Sequence, residues 1–489
     1  MIRLFISVMV DSGLKTKAIK GTLWSAIDRL SVQIINFGLS LAIARLLDPS
    51  DYGIIAMTML FITLSNVFVD SGFANALVRK NDRTETDNST VFYFNIAVGT
   101  AVYATMWVVS PLIAKFYNMP LLENVLRVTA LVIPLYSFSI VQQAILTINI
   151  DFKSQAKISV SAALVSGVVG LIMAYNGAGV WSLTVQMVSA AFIRMIMLWI
   201  FVKWKPSQPF SKKSFRELFS FGSKLLLANI VVAISNNITT LIIGKKFSSK
   251  QLGFYNRAEQ ISYFPVSNLT AVLQRVTFPV FSKMQDNTAT LRNNYLKIVR
   301  LTSILSFLIL GVLFVVAEPL IETLLTSKWL PSVGLLQILI IGIVWWPFFA
   351  LNINILQVVG YSKYVLAIEC AKATINLIAI FIAIPFGIEA VCIALSVTAF
   401  VNSFIYTHFT KKAISVSWLN QVKVMLPHVI AALVSVVVAG LVICEVESLW
   451  IKIIWGCVMY LAIYVAALYV IDKSDLEVMC AILKGLRHK

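Results

Sequence analysis

Four cations set in otherwise apolar stretches, Arg29, Lys224, Arg257 and Arg275, are the side chains best suited to holding a ligand. Arginine grips a phosphate through a planar two-pronged fork and lysine offers a point charge, so the set suits an anionic, phosphate-bearing substrate. Polar residues accompany the cations at helical spacing. Arg29, Gln33, Asn36 and Ser40 fall at i, i+4, i+7 and i+11, which places them on one face of a helix. Thr63, Asn66 and Asp70 mark a second segment, Lys224, Asn229 and Asn236 a third, and Tyr255, Asn256, Arg257, Gln260 and Arg275 a fourth. Asp28 and Asp70 are the carboxylates of the first two segments and the candidates for proton or ion coupling. The competing reading is that these charges neutralise one another, Asp28 or Asp70 against Arg29 and Glu259 against Arg257. Lys224 and Arg275 have no acid close by in sequence. Arg194 lies inside an apolar run with no evident partner, and Glu369 with Lys372 reads as an i, i+3 pair. Trp345, Trp346 and Pro347 could stack on a sugar or pack as a proline-kinked helix.

Nothing else in the chain points to catalysis. His408, His428 and His488 are scattered, which supports neither a metal site nor acid–base chemistry. The five cysteines, Cys370, Cys392, Cys444, Cys457 and Cys480, show no CxxC spacing, and no phosphate-cradling GxxxxGK[ST] stretch occurs. No catalytic residue, metal or cofactor is expected, and the chain reads as a carrier rather than an enzyme.

The elements that must position these groups follow from composition. The 489 residues are 59% hydrophobic and 13% charged, about half the charge of a soluble domain. A spanning helix needs roughly 20 apolar residues, so the length allows about fourteen spans. Open strands would leave backbone groups unpaired in lipid, which makes the fold class an all-α polytopic membrane protein. Polar and charged residues inside such spans are costly unless they face protein or water, so the striped segments read as the wall of a polar path.

The striped pair occurs twice. Ile34, Asn36, Leu41, Ile43 and Gly53 match Ile234, Asn236, Leu241, Ile243 and Gly253 at a shift of about 200 positions, and both pairs turn through a short glycine-containing loop. Together with the charged, proline-containing break after Lys203, this predicts two six-helix lobes, residues 1–205 and 217–412, joined by a cytoplasmic linker 206–216. Residues 413–489 add a helix pair and a tail. With an even number of spans each, the lobes would be related by a pseudo-two-fold axis along the membrane normal. Lys and Arg gather in alternate loops, which puts both termini in the cytoplasm and explains the net charge of +18 without nucleic acid. No small-residue cleavage pattern follows the apolar run Ile2–Val10, so no cleaved signal peptide is expected.

Several stretches carry a resemblance that covers essentially the whole chain. Gly21-Thr-Leu-Trp-Ser-Ala26, Ala44-Arg-Leu-Leu-Asp-Pro-Ser-Asp-Tyr-Gly53, Asp70-Ser-Gly-Phe-Ala-Asn75, Phe254-Tyr-Asn-Arg-Ala258 and Phe278-Pro-Val-Phe281 resemble the bacterial polysaccharide transporter family. Within that family the chain is most similar to colanic-acid and teichuronic-acid type exporters and O-antigen flippases. The resemblance implies two six-helix lobes around a central cationic cavity in the bacterial cytoplasmic membrane. It implies alternating-access flipping of an undecaprenyl-diphosphate-linked oligosaccharide for surface polysaccharide synthesis, with membrane lipids, a polymerase and glycosyltransferases as partners. The same superfamily contains cation-coupled multidrug exporters, a rival reading that would favour acidic and aromatic cavity groups. A membrane polymerase or ligase is a second rival, which would need a large external loop.

Overall fold

The computed structural model describes residues 31–80 and 82–471, which form helices joined by turns and short connecting segments, with no strand among the described residues. In chain order the helices are α1 (Ser31–Leu46), α2 (Pro49–Asp70), α3 (Phe73–Arg79), α4 (Glu85–Tyr117), α5 (Leu121–Thr129), α6 (Val132–Ser137), α7 (Ile140–Ile148), α8 (Phe152–Tyr175), α9 (Val180–Val202) and α10 (Lys212–Lys246). They continue as α11 (Ser249–Ser282), α12 (Thr288–Val315), α13 (Ala317–Leu325), α14 (Ser332–Ile343), α15 (Trp346–Val358), α16 (Ser362–Ala383), α17 (Ile388–Ile414), α18 (Trp418–Cys444) and α19 (Leu449–Ile471). Their ends carry the expected stop and start chemistry. The Asp48 backbone N–H donates to Asp51 Oδ2 ahead of Pro49, and the N–H of Asp87 donates to Thr84 Oγ1 at the start of α4. Ser211 and Ser417 cap α10 and α18 in the same way.

Eleven helices among the described residues are long and apolar enough to cross a membrane, and twelve if α5–α7, which bends by 44°, counts as one span. The expected total of about fourteen is therefore not reached on length and composition alone. Two expected spans make up the difference. Residues 31–46 form a shorter apolar helix, whereas α11 is long enough at 34 residues but carries too much polarity to pass as a lipid-facing span.

By its internal contacts the chain forms two compact units, one ending at Gly253 and the other beginning at Phe254. The first unit has an aromatic core. Phe73, Leu77, Val91, Phe92, Val141, Ala144 and Leu218 are buried together, with Phe215 stacked on Phe219 and both close to Phe73. The segment between α9 and α10 is pinned rather than loose. Backbone N–H groups of Ser207 and Gln208 donate to Ser89 Oγ, that of Ser211 donates to Thr90 Oγ1, and Trp204 Nε1 donates to Glu85 Oε2 at 2.7 Å. Lys80 closes the same end by contacting the buried Asp87 on α4 and Glu217 on α10, each at 3.1 Å. Burial alone would depress the Lys80 ammonium, but the two carboxylates outweigh it and hold the group above its ordinary value. The bridge is thus complete at neutral pH; it is lost at the alkaline end as pH rises through that raised pKa, and at the acid end as pH falls through the Asp87 pKa, which is held below its ordinary value. Lys80→Met is expected to lower unfolding stability by about 1–3 kcal/mol in a thermal melt, because it leaves a buried carboxylate without its cation.

Glycines set the closest crossings of α2. A Cβ on Gly53 would stand 1.8 Å from the Ser249 carbonyl oxygen, and a Cβ on Gly253 would stand 1.8 Å from the Pro49 carbonyl oxygen. The two contacts are reciprocal, and the partners are separated by the same shift as the sequence repeat. At the other end of α2, Gly72 and Gly222 pack in a similar way, each within 2.6 Å of a backbone oxygen for a built Cβ. Gly72 also holds a left-handed φ of 73°, which a side chain would strain.

The second unit is organised by a buried polar knot. Asn352 Oδ1 accepts from Tyr295 Oη at 3.0 Å, Thr410 Oγ1 at 2.6 Å and Gln421 Nε2 at 3.2 Å, which ties α12, α15, α17 and α18 together. The appended helix pair docks on α12 through two tyrosines. Tyr460 Oη donates to the Phe307 carbonyl and Tyr464 Oη to that of Ile304, with Gly311 leaving room for the Tyr460 ring.

Candidate functional site

The predicted site residues separate into distinct environments. Asp28 and Arg29 lie outside the described residues, as does the side chain of Lys224 on α10. On α1, Gln33 is half-buried and Asn36 exposed. Asn66 on α2 is half-buried, with an Oδ1 that has no hydrogen-bond partner among the described residues. One turn later Asp70 accepts the Ala74 backbone N–H at 3.3 Å and so caps the start of α3. Asn229 and Asn236 are exposed, two turns apart on a stretch of α10 where Leu227, Val231, Val232 and Ile234 are exposed as well.

The remaining candidates sit on α11, which separates them by face. Tyr255 is buried and its Oη donates to Glu259 Oε1 at 3.1 Å. Arg257 is 2% exposed. Its Nη1 donates to Gln260 Oε1 at 2.9 Å, and its guanidinium lies 5.3 Å from the centre of the Trp329 ring. Asn256 is half-buried. Gln260, Tyr263, Gln274 and Arg275 are exposed, together with Val272 and Phe278. The structure therefore joins Arg257 to Gln260 and Tyr255 to Glu259, and it leaves Arg275 as an exposed cation on the second unit.

Other polar groups flagged in the sequence find partners. Arg194 Nη2 donates to Gln143 Oε1 at 3.2 Å, which gives that intramembrane cation a role the sequence left open. Lys372 pairs with Glu369 as the spacing predicts, and Glu369 Oε1 also accepts from Tyr406 Oη at 2.5 Å. Trp345 packs on Phe348 and Phe400. Trp346 instead meets Tyr263 edge-on at 5.5 Å, and Lys372 Nζ lies 5.6 Å from the centre of its ring. Tyr263 escaped the sequence reading although it stands one turn beyond Gln260, the spacing that would have found it. No cluster of three metal-ligating side chains occurs among the described residues.

A family model described as polysaccharide biosynthesis protein matches residues 42–334, well over half the chain. The chain belongs to that family. Two curated relatives lie close. The teichuronic acid biosynthesis protein TuaB of Bacillus subtilis (strain 168) is 26% identical over 66% of this chain and 68% of its own length. The lipopolysaccharide biosynthesis protein WzxC of Escherichia coli (strain K12) is 27% identical over 67% of each. Among solved structures the fold matches an inward closed conformation of the lipid II flippase MurJ with a TM-score of 0.74 at 15% identity. The match covers 91% of this chain and 99% of that one. Family and fold together bear out the all-helical transporter architecture and a multi-pass membrane protein of polysaccharide biosynthesis.

Proposed function

We propose that this protein carries an undecaprenyl-diphosphate-linked oligosaccharide across the bacterial cytoplasmic membrane by alternating access, as a transporter rather than an enzyme. The observation that carries the reading is α11. At about 51 Å it exceeds the roughly 30 Å of a hydrocarbon core, yet it exposes Gln260, Tyr263, Gln274 and Arg275. Such a face needs water or a polar ligand instead of lipid tails, and its net charge is positive, as a diphosphate requires. The printed roles of the relatives, teichuronic acid and lipopolysaccharide biosynthesis, support the same substrate class. The alternating placement of basic loops supports cytoplasmic termini, with glycosyltransferases supplying the substrate inside and a polymerase receiving it outside.

The reading is tested by following a labelled undecaprenyl-diphosphate oligosaccharide across proteoliposomes, with and without a proton or sodium gradient. Protein-dependent transfer is expected, and Arg275→Ala should slow it about tenfold or more while the protein remains in the membrane. Absence of transfer together with export of a cationic dye would replace this function by drug efflux.

A further inference from the structure

We infer that Trp346, Tyr263, Lys372 and Glu369 form a sugar-binding platform on the second unit that reads the glycan of the lipid-linked substrate, an assignment that rests on the function proposed above. The four side chains come from three helices, α11, α15 and α16, and are fixed in sequence by one another. Glu369 accepts from the buried hydroxyl-bearing Tyr406, whose ring stacks on Phe349 at 4.5 Å with an interplanar angle of 9°. Glu369 in turn pairs with Lys372, which holds the ammonium 5.6 Å from the centre of the Trp346 ring. Tyr263 closes the group by meeting Trp346 at 79°. A platform whose members are locked in this way is ordered before the ligand arrives.

Exposure and charge choose the ligand. Tyr263 is 39% exposed, and the side chains of Lys372 and Glu369 are 21% and 38% exposed. An ion pair with that much access, inside helices that cross the membrane, faces a polar phase and not lipid. Because the pair is neutral overall, it offers no net attraction for a phosphate. It offers instead a carboxylate that accepts from hydroxyls, an ammonium that donates to them, and, in the exposed Tyr263 beside the half-buried Trp346, an aromatic surface that suits the apolar C–H side of a pyranose. A neutral polyhydroxylated ring fits this set. Arg275 lies about 18 Å farther along α11, which keeps contacts to the diphosphate apart from contacts to the glycan.

The test compares two ligands on the purified full-length protein in lipid nanodiscs: the undecaprenyl-diphosphate oligosaccharide of the host's surface polymer, and undecaprenyl diphosphate without sugar. Trp346→Leu and Tyr263→Leu are each expected to weaken the first about tenfold and to leave the second unchanged. Trp346→Phe should retain affinity to within about threefold, because the aromatic face remains. Tyr263 sits at the exposed rim, so its variant reports on the platform even where Trp346→Leu disturbs the break between α14 and α15. Equal weakening of both lipids, or no change in either, overturns the platform. A parent protein that binds neither lipid overturns the proposed function itself, and the platform with it.

Discussion

Gly53→Ala and Gly253→Ala are each expected to destabilise the protein by about 1–3 kcal/mol, and the double variant by clearly less than the sum. Each methyl would arrive 1.8 Å from a backbone carbonyl oxygen, Ser249 in one case and Pro49 in the other. Neither obstacle is a flexible side-chain end, so neither can swing aside. The two helix starts must separate by more than an ångström instead. Because the contacts are reciprocal about one crossing, the displacement that admits the first methyl makes room for the second. Thermal melts of the two single variants and the double variant in one detergent supply the double-mutant cycle. Additive losses would mean that the two contacts yield separately and that the crossing is not a single joint. Gly38, which has open space around a built Cβ, is the internal control: Gly38→Ala should be neutral or slightly stabilising.

Asn352→Leu is expected to cost about 2–5 kcal/mol, against about 1 kcal/mol for Tyr295→Phe. Asn352 Oδ1 is the acceptor on which three donors converge, and Asn352, Tyr295, Thr410 and Gln421 are all buried. Leucine is of similar size but leaves the Tyr295 hydroxyl and the Gln421 amide without that acceptor. Thr410 loses less, because its Oγ1 also donates to the Tyr406 carbonyl at 3.1 Å. Tyr295→Phe removes one donor and leaves the acceptor served by two others. Unfolding midpoints of the purified variants decide the matter. Equal losses from Asn352→Leu and Tyr295→Phe would show that the knot is worth no more than a single bond.

The glycine crossing also shows how much of this molecule was written plainly in its sequence. Gly53 and Gly253 were legible as equivalent positions of a repeat, and the structure sets each against the backbone that precedes the other. Helices and their order were legible too, because long apolar runs bounded by Asp48-Pro49, Thr84 or Ser417 leave few alternatives. The bend between α6 and α7 was not, since no proline or glycine lies at Phe138 or Ser139 to announce it. At the candidate site, residue type was visible and direction was not. Arg257 and Arg275 both read as candidate ligand-holding cations in the sequence, yet one is buried over Trp329 and the other exposed, a difference fixed by which face of α11 packs. Similarly, the Glu369–Lys372 pair could be read from its spacing, whereas its meeting with Trp346 and Tyr263 depends on three helices far apart in the chain.

The pinned segment between α9 and α10 bears on how halves of such genes can be exchanged. Its prolines and charges make residues 206–216 look like a natural seam, but Ser89, Thr90 and Glu85 hold its backbone and Trp204 against α4. A chimera spliced there would part hydroxyls of one parent from the strap they evolved to grip, and Lys80 from its Glu217. A junction after Gly253 keeps those pairings within one parental contribution, so recombinants joined at that point are the ones expected to assemble and reach the membrane.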